Sequence, residues 1–203
     1  MLITATNLDE LQRAHSHLPF DYDQYRRETD VNEGELDQFH VVNTSTAVVR
    51  PAEEWNALGR EIYDTHSVSL HACALWGILQ ELGLNQFLME HHSSVPVAWF
   101  PISLCAKPFA QQRKRLLVSS GVQVDLHTWL GGFQLENLSQ DFLVNFVDYP
   151  FLSQHLDFDL ISQQRSFVLN VTHHLSVICL SSDRELLARF ESMAKERGIY
   201  VSW

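Results

Sequence analysis

The sequence predicts an α+β domain in which one apolar helix packs on an antiparallel sheet. Three observations predict it. Leu75, Ile78, Leu79 and Leu82, within residues 67–84, fall at i, i+3, i+4 and i+7, the spacing of one buried helix face. Residues 122–130 alternate apolar and polar with period two, the pattern of a half-buried strand. The C-terminal part reads as strand, helix, strand. At 203 residues the chain suits a single domain. Composition divides it into an N-terminal helical and acidic extension (1–50), a core (51–150) and a C-terminal β-α-β part (151–203).

Each element has its own justification. Residues 1–20 begin with a short helix: Asn7 caps it, Leu8, Leu11 and Leu18 are its apolar positions, and Pro19 stops it. Residues 21–38 are rich in acid, with Asp21, Asp23, Glu28, Asp30, Glu33, Glu35 and Asp37, and read as an exposed loop or surface helix. Residues 39–49 carry Val41, Val42, Val48 and Val49 and read as one strand or two. Pro51 opens a helix whose acids lie near the positive end and which buries Trp55, Leu58 and Ile62. The helix at 67–84 follows, capped by Ser67 or Ser69 and ended by Gly83. Residues 95–100 are apolar and β-prone, and Arg113, Lys114 and Arg115 form a basic cluster on solvated surface. After the strand at 122–130, Phe133 and Leu135 continue the apolar character past Gly131 and Gly132. Residues 141–148 are the next strand, ended by Pro150. Residues 166–171 and 175–180 are strand-like, with Thr172, His173 and His174 between or within them. Ser182 or Asp183 caps a helix holding Leu186, Leu187, Phe190 and Met193; Gly198 ends it, and residues 199–203 form a final strand.

Composition narrows the function. A formal net charge of −11 argues against nucleic acid or an anionic membrane as partner, because both need clustered Lys and Arg. It permits a basic protein partner. The N-terminal residues show no basic region before an apolar run, and no segment reaches the length that crosses a bilayer. Three cysteines at wide spacing fit free thiols in a reducing compartment, so the expected location is the cytoplasm. No glycine-rich phosphate loop or dinucleotide motif is present, and no cofactor is expected.

One ordered constellation carries chemistry. Cys73 lies near the start of the apolar helix, His127 lies on the strand at 122–130, and Asp141 opens the strand that follows. At a helix start, unpaired N–H groups and the helix dipole favour a thiolate. A neighbouring histidine can take the thiol proton and return it to a leaving group. A carboxylate on the other ring nitrogen fixes the tautomer. Each residue has a plainer reading: Cys73 as core filler, His127 as a half-exposed strand residue, Asp141 as a turn former.

The order resembles the transglutaminase-like branch of the papain-like cysteine hydrolases over about residues 67–150. There a nucleophilic cysteine opens a helix closing in a Leu-x-x-Leu-Gly-(Ile/Leu) run, matched by Leu79, Leu82, Gly83 and Leu84. A His-x-Trp motif follows, matched by His127 and Trp129, and an aspartate on the next strand is matched best by Asp141, with Asp148 as its rival. Ala72 stands where the family commonly has glycine, and no glutamine presents itself for an oxyanion hole, which leaves the backbone N–H of Cys73 for that role. The resemblance implies a Cys73–His127–Asp141 triad acting on a peptide or small-molecule amide or acyl bond. Hydrolysis, deamidation and amine transfer are all open to it.

Two other expectations complete the reading. The histidine pairs His15 and His17, His91 and His92, and His173 and His174 lack metal-ligand spacing, so no metal is expected; His71 is close enough in sequence to tune Cys73. Cys105 and Cys179 read as buried filler. The rival to catalysis is a non-catalytic acidic binding protein of immunity type, or an inactive member of the same fold, with the acidic stretch at 21–37 as its working surface.

Overall fold

The structure is a computed structural model that describes residues 1–16, 18, 40–45, 65–91, 107–125, 129, 131–153, 158–171 and 176–202. The fold is α+β. Its strands are β1 (Leu2–Thr6), β2 (His40–Ser45), β3 (Gln86–His91), β4 (Gly132–Glu136), β5 (Phe158–Ser162), β6 (Val168–Val171), β7 (Ser176–Ser181) and β8 (Tyr200–Ser202). Its helices are α1 (Leu8–Ser16), α2 (Thr65–Glu81), α3 (Lys107–Ser119), α4 (Gln140–Ser153) and α5 (Arg184–Glu196). The strands form one sheet in the order β1-β4-β3-β5-β6-β7-β2-β8, and every neighbouring pair is antiparallel.

Two connections shape this sheet. β4 and β5 flank β3 and run parallel to each other, with α4 between them in sequence. β7 and β8 flank β2 in the same way, with α5 between them. Both are split β-α-β units, in which a helix crosses over an intervening antiparallel strand. The expected C-terminal strand–helix–strand is therefore present, but β2 from the N-terminal half is inserted into it.

The two faces of the sheet differ. Phe87, Met89, Phe133, Leu135, Phe158, Leu160, Leu169, Val171, Val177 and Cys179 point to one face and join the main core with α2, α3, α4 and α5. The alternate residues Leu88, Ile161, Val168 and Leu180 point to the other face and form a smaller cluster with Leu11 of α1. β5 and β6 are thus buried on both sides.

The apolar helix is where the sequence puts it. Leu75, Ile78 and Leu79 are fully buried and Leu82 nearly so. Gly83 ends α2 at a φ of 73°, and the Leu84 N–H donates to the Leu79 carbonyl, a closing turn that suits glycine. The start differs: α2 begins at Thr65, so Ser67 and Ser69 lie inside it. At the N-terminus Asn7 caps α1 as expected. Its side chain accepts from the Glu10 N–H at 3.0 Å while Glu10 accepts from the Asn7 N–H at 3.0 Å. Strand β1 precedes that cap where only a helix is expected. Asp183 caps α5, accepting from the Leu186 N–H at 3.0 Å.

Two expected strands are corrected. Residues 141–148 lie in helix α4. Phe142, Leu143 and Phe146 share one buried face at helical spacing, and Ser139 accepts from the Phe142 N–H at 3.3 Å as its cap. A short apolar run fits either period, and here the cap and the main core select the helix. Residues 122–125 are not a strand. Gly121, at a φ of 88°, ends α3, Val122 packs in the core, and the next strand among the described residues is β4, from Gly132. The glycines there are steric. A Cβ on Gly131 would stand 2.1 Å from the Thr6 carbonyl oxygen, and one on Gly132 would stand 2.3 Å from that of Met89. The basic cluster lies on α3, with Lys114 and Arg115 exposed. The expectations for 21–38, 46–64 and 95–100 lie outside the described residues.

Candidate functional site

Helix α2 presents one face to the chain segment that enters α4. The Trp76 indole N–H donates to the Leu138 carbonyl at 3.0 Å, and the Gln80 amide reaches the same oxygen at 3.5 Å. Cys73 stands three residues before Trp76 on the same face, half-buried, and the Gln140 side-chain amide donates to its Sγ at 3.1 Å. Helix periodicity places Cys73, Trp76 and Gln80 in one stripe. The Ser139 cap then fixes where Gln140, the first residue of α4, projects.

This placement changes the electrostatics expected of Cys73. It lies about two turns inside α2, so the positive end of its own helix is not beside it. The nearby donor comes instead from the residue that opens α4. His71 is buried, and desolvation lowers its pKa to about 4. It is neutral at pH 7 and brings no positive charge to Cys73. Gln140 was not among the expected functional residues. A glutamine between Ser139 and Asp141 carries no local signal, and its contact depends on how α2 and α4 pack.

Asp141 is exposed in the first turn of α4, where a carboxylate faces the positive end of the helix. It is a helix residue beside Gln140, and not the opening residue of a strand. Asp148 belongs to the same helix. His127 lies outside the described residues. Trp129, two residues on, packs against the core, its backbone N–H donating to the Asp125 carbonyl at 2.9 Å. Trp129 precedes β4 and Asp141 follows it, and a strand of that length spans about 16 Å. The described residues thus join Cys73 to Gln140 and put Asp141 next to Gln140, at the opposite end of β4 from Trp129.

A second cluster lies on the other face of the sheet. The Glu90 carboxylate meets the His15 imidazole of α1 at 2.6 Å, both side chains about nine-tenths buried. Asp159 is directly opposite Glu90 across β3 and β5, and Asn170 is directly opposite Asp159 across β5 and β6. The Asn170 amide donates to the Asp159 carboxyl at 2.6 Å. Asp159 is fully buried, and desolvation raises its pKa to about 7, against the smaller opposing pull of the Asn170 hydrogen bond. This row was not among the expected functional residues, although a lone acid inside each of the apolar runs 86–91 and 158–161 is a signal that points to it.

Cys179 is fully buried, and burial pushes its thiol well up, which fits a filler role. Cys105, His17, His92, His173 and His174 lie outside the described residues. Among the described residues no group of three metal-ligating side chains converges, and no helix is long and apolar enough to cross a membrane. Comparison of the chain with family models, with curated proteins and with solved structures found no match.

Proposed function

We infer that the protein is a cysteine-dependent hydrolase or acyltransferase acting on an amide or acyl bond, with Cys73 as its nucleophile. The observation that carries this reading is the 3.1 Å contact from the Gln140 amide to the half-buried Cys73 sulfur. An amide N–H aimed at a thiol stabilises negative charge on the sulfur. It is also placed to donate to the oxygen that becomes charged when the sulfur adds to a carbonyl. Gln140 thus takes the oxyanion role that the sequence left to the Cys73 backbone. The cysteine-bearing helix packed on an antiparallel sheet supports the likeness to the papain and transglutaminase group. The helical setting of Asp141 departs from it.

In the proposed reaction His127 takes the Cys73 proton, and the sulfur adds to the carbonyl carbon. The protonated imidazole returns that proton to the leaving amine as the C–N bond breaks, which leaves a thioester on Cys73. Water or a second amine then attacks the thioester, giving an acid or a new amide and restoring the thiol. Asp141 lies beside Gln140 at the opposite end of β4 from Trp129, so its carboxylate is assigned to the rim of the thiol site and not to the His127 ring.

The acyl-enzyme is directly testable with p-nitrophenyl acetate as probe. The reading predicts a gain of about 42 Da on the Cys73 peptide, an acetyl group in place of the thiol hydrogen. It predicts no adduct in Cys73→Ala and slower formation in His127→Ala. An adduct at another residue, or one whose rate ignores His127, would remove the mechanism.

The net charge of −11 favours a second reading, a non-catalytic acidic protein that binds a basic partner. Such a complex would weaken steeply between low and high salt. It would also be indifferent to Cys73→Ala.

A further inference from the structure

Between α1 and the sheet, on the face away from Cys73, lies a cavity of about 470 Å³. Among the described residues its apolar walls are Ala14, Leu18, Leu88 and Ile161. Its polar end is the turn from Ser162 to Ser166 that joins β5 to β6. Leu88 and Ile161 stand beside each other across β3 and β5, two register positions from Glu90 and Asp159 and so on the same face. The turn is held rigidly. The Ser162 hydroxyl accepts from the Gln164 N–H at 3.2 Å and from the Arg165 N–H at 3.3 Å. The Gln164 side chain accepts from the Asn85 and Gln86 N–H groups.

The charge of the described lining is opposite to that of the chain. Arg165 is the one ionised residue among the described lining, in a protein of net charge −11. It is exposed and forms no ion pair with the described residues. The volume lies within the range of small-molecule pockets, which combine apolar walls with a few fixed polar groups. Among the described lining, an apolar floor with one guanidinium at its end matches an amphipathic monoanion. A guanidinium accepts a carboxylate through two parallel hydrogen bonds.

We propose that this cavity binds a small carboxylate with an apolar body, the carboxylate on Arg165 and the body on Leu88 and Ile161. The site is separate from Cys73 and does not depend on the chemistry proposed there.

Calorimetric titration of the full chain with octanoate and with octan-1-ol tests the proposal. The expected result is one octanoate per chain, bound at least tenfold more tightly than octanol. Arg165→Gln should remove that preference by weakening octanoate alone. Ala14→Trp should fill the cavity and abolish binding of both compounds, and Leu18→Trp serves if the first variant does not fold. Equal affinity for the acid and the alcohol overturns the proposal, as does an Arg165→Gln variant that binds octanoate like the wild type. Binding that survives a folded cavity-filling variant, or the absence of binding by the wild type, overturns it too.

Discussion

Asp159 is the residue whose environment most alters its chemistry. Burial moves its pKa from an ordinary 3.8 to about 7. Below about pH 4 the folded and unfolded chains both carry the proton, and the group leaves stability unchanged. As pH rises towards about 7 the unfolded chain gives up this proton while the folded chain keeps it, so stability falls. Above that the loss is complete, at a few kcal/mol. Asp159→Asn keeps an acceptor for Asn170 and removes the titration. In urea unfolding from pH 4 to 8 its stability relative to wild type should rise with pH and then level off. A difference that stays constant with pH would mean that the carboxyl is already ionised in the fold. Gln140 gives a second prediction at this scale. Its side chain is exposed, so Gln140→Ala should change stability by no more than about 0.5 kcal/mol. It should nonetheless slow iodoacetamide alkylation of Cys73 severalfold. An unchanged alkylation rate would leave the 3.1 Å contact without chemical consequence.

At the scale of elements, the approach of β1, β3 and β4 is set by two glycines. A methyl group on Gly132 would meet the Met89 backbone, which cannot yield without opening the sheet. Gly132→Ala should therefore cost about 1–3 kcal/mol in denaturant unfolding, as overpacking does elsewhere. Wild-type stability in that variant would show that the strands can separate. Helix α5 was legible in the sequence because cap, apolar stripe and terminal glycine all agree, whereas in α2 the stripe and Gly83 were legible and the start, at Thr65, was not. Helix α4 was not, because residues 142–147 are almost continuously apolar and satisfy a strand pattern equally well. Its identity rests on Ser139 and on packing against α2. Strand β1 was hidden because Met1, Leu2 and Ile3 show no alternation, and pairing with β4 decides their conformation. The candidate site divides in the same way. Cys73 could be read from its helix, whereas the Gln140 contact joins residues 67 positions apart and depends on tertiary structure.

Across the whole molecule the sheet separates two chemistries. One face carries the main core and the helix seam that holds Cys73 and Gln140. The other carries the His15–Glu90 and Asp159–Asn170 row and the cavity ending at Arg165. The two faces should therefore respond independently. Occupying the cavity with octanoate should leave Cys73 reactivity unchanged, and carboxamidomethylating Cys73 should leave octanoate affinity unchanged. Coupling in either direction would show that the sheet transmits strain between its faces. The central claim is that Cys73 is an activated nucleophile, and cysteine-by-cysteine alkylation at pH 7, read by peptide mass spectrometry, tests it most directly. The account predicts that Cys73 reacts at least tenfold faster than glutathione under the same conditions. It predicts that Cys179 stays unreacted in its buried position, and that His127→Ala slows Cys73 without unfolding the chain. A Cys73 that reacts no faster than glutathione, or whose rate is indifferent to His127, would contradict the account and turn attention to a basic protein partner.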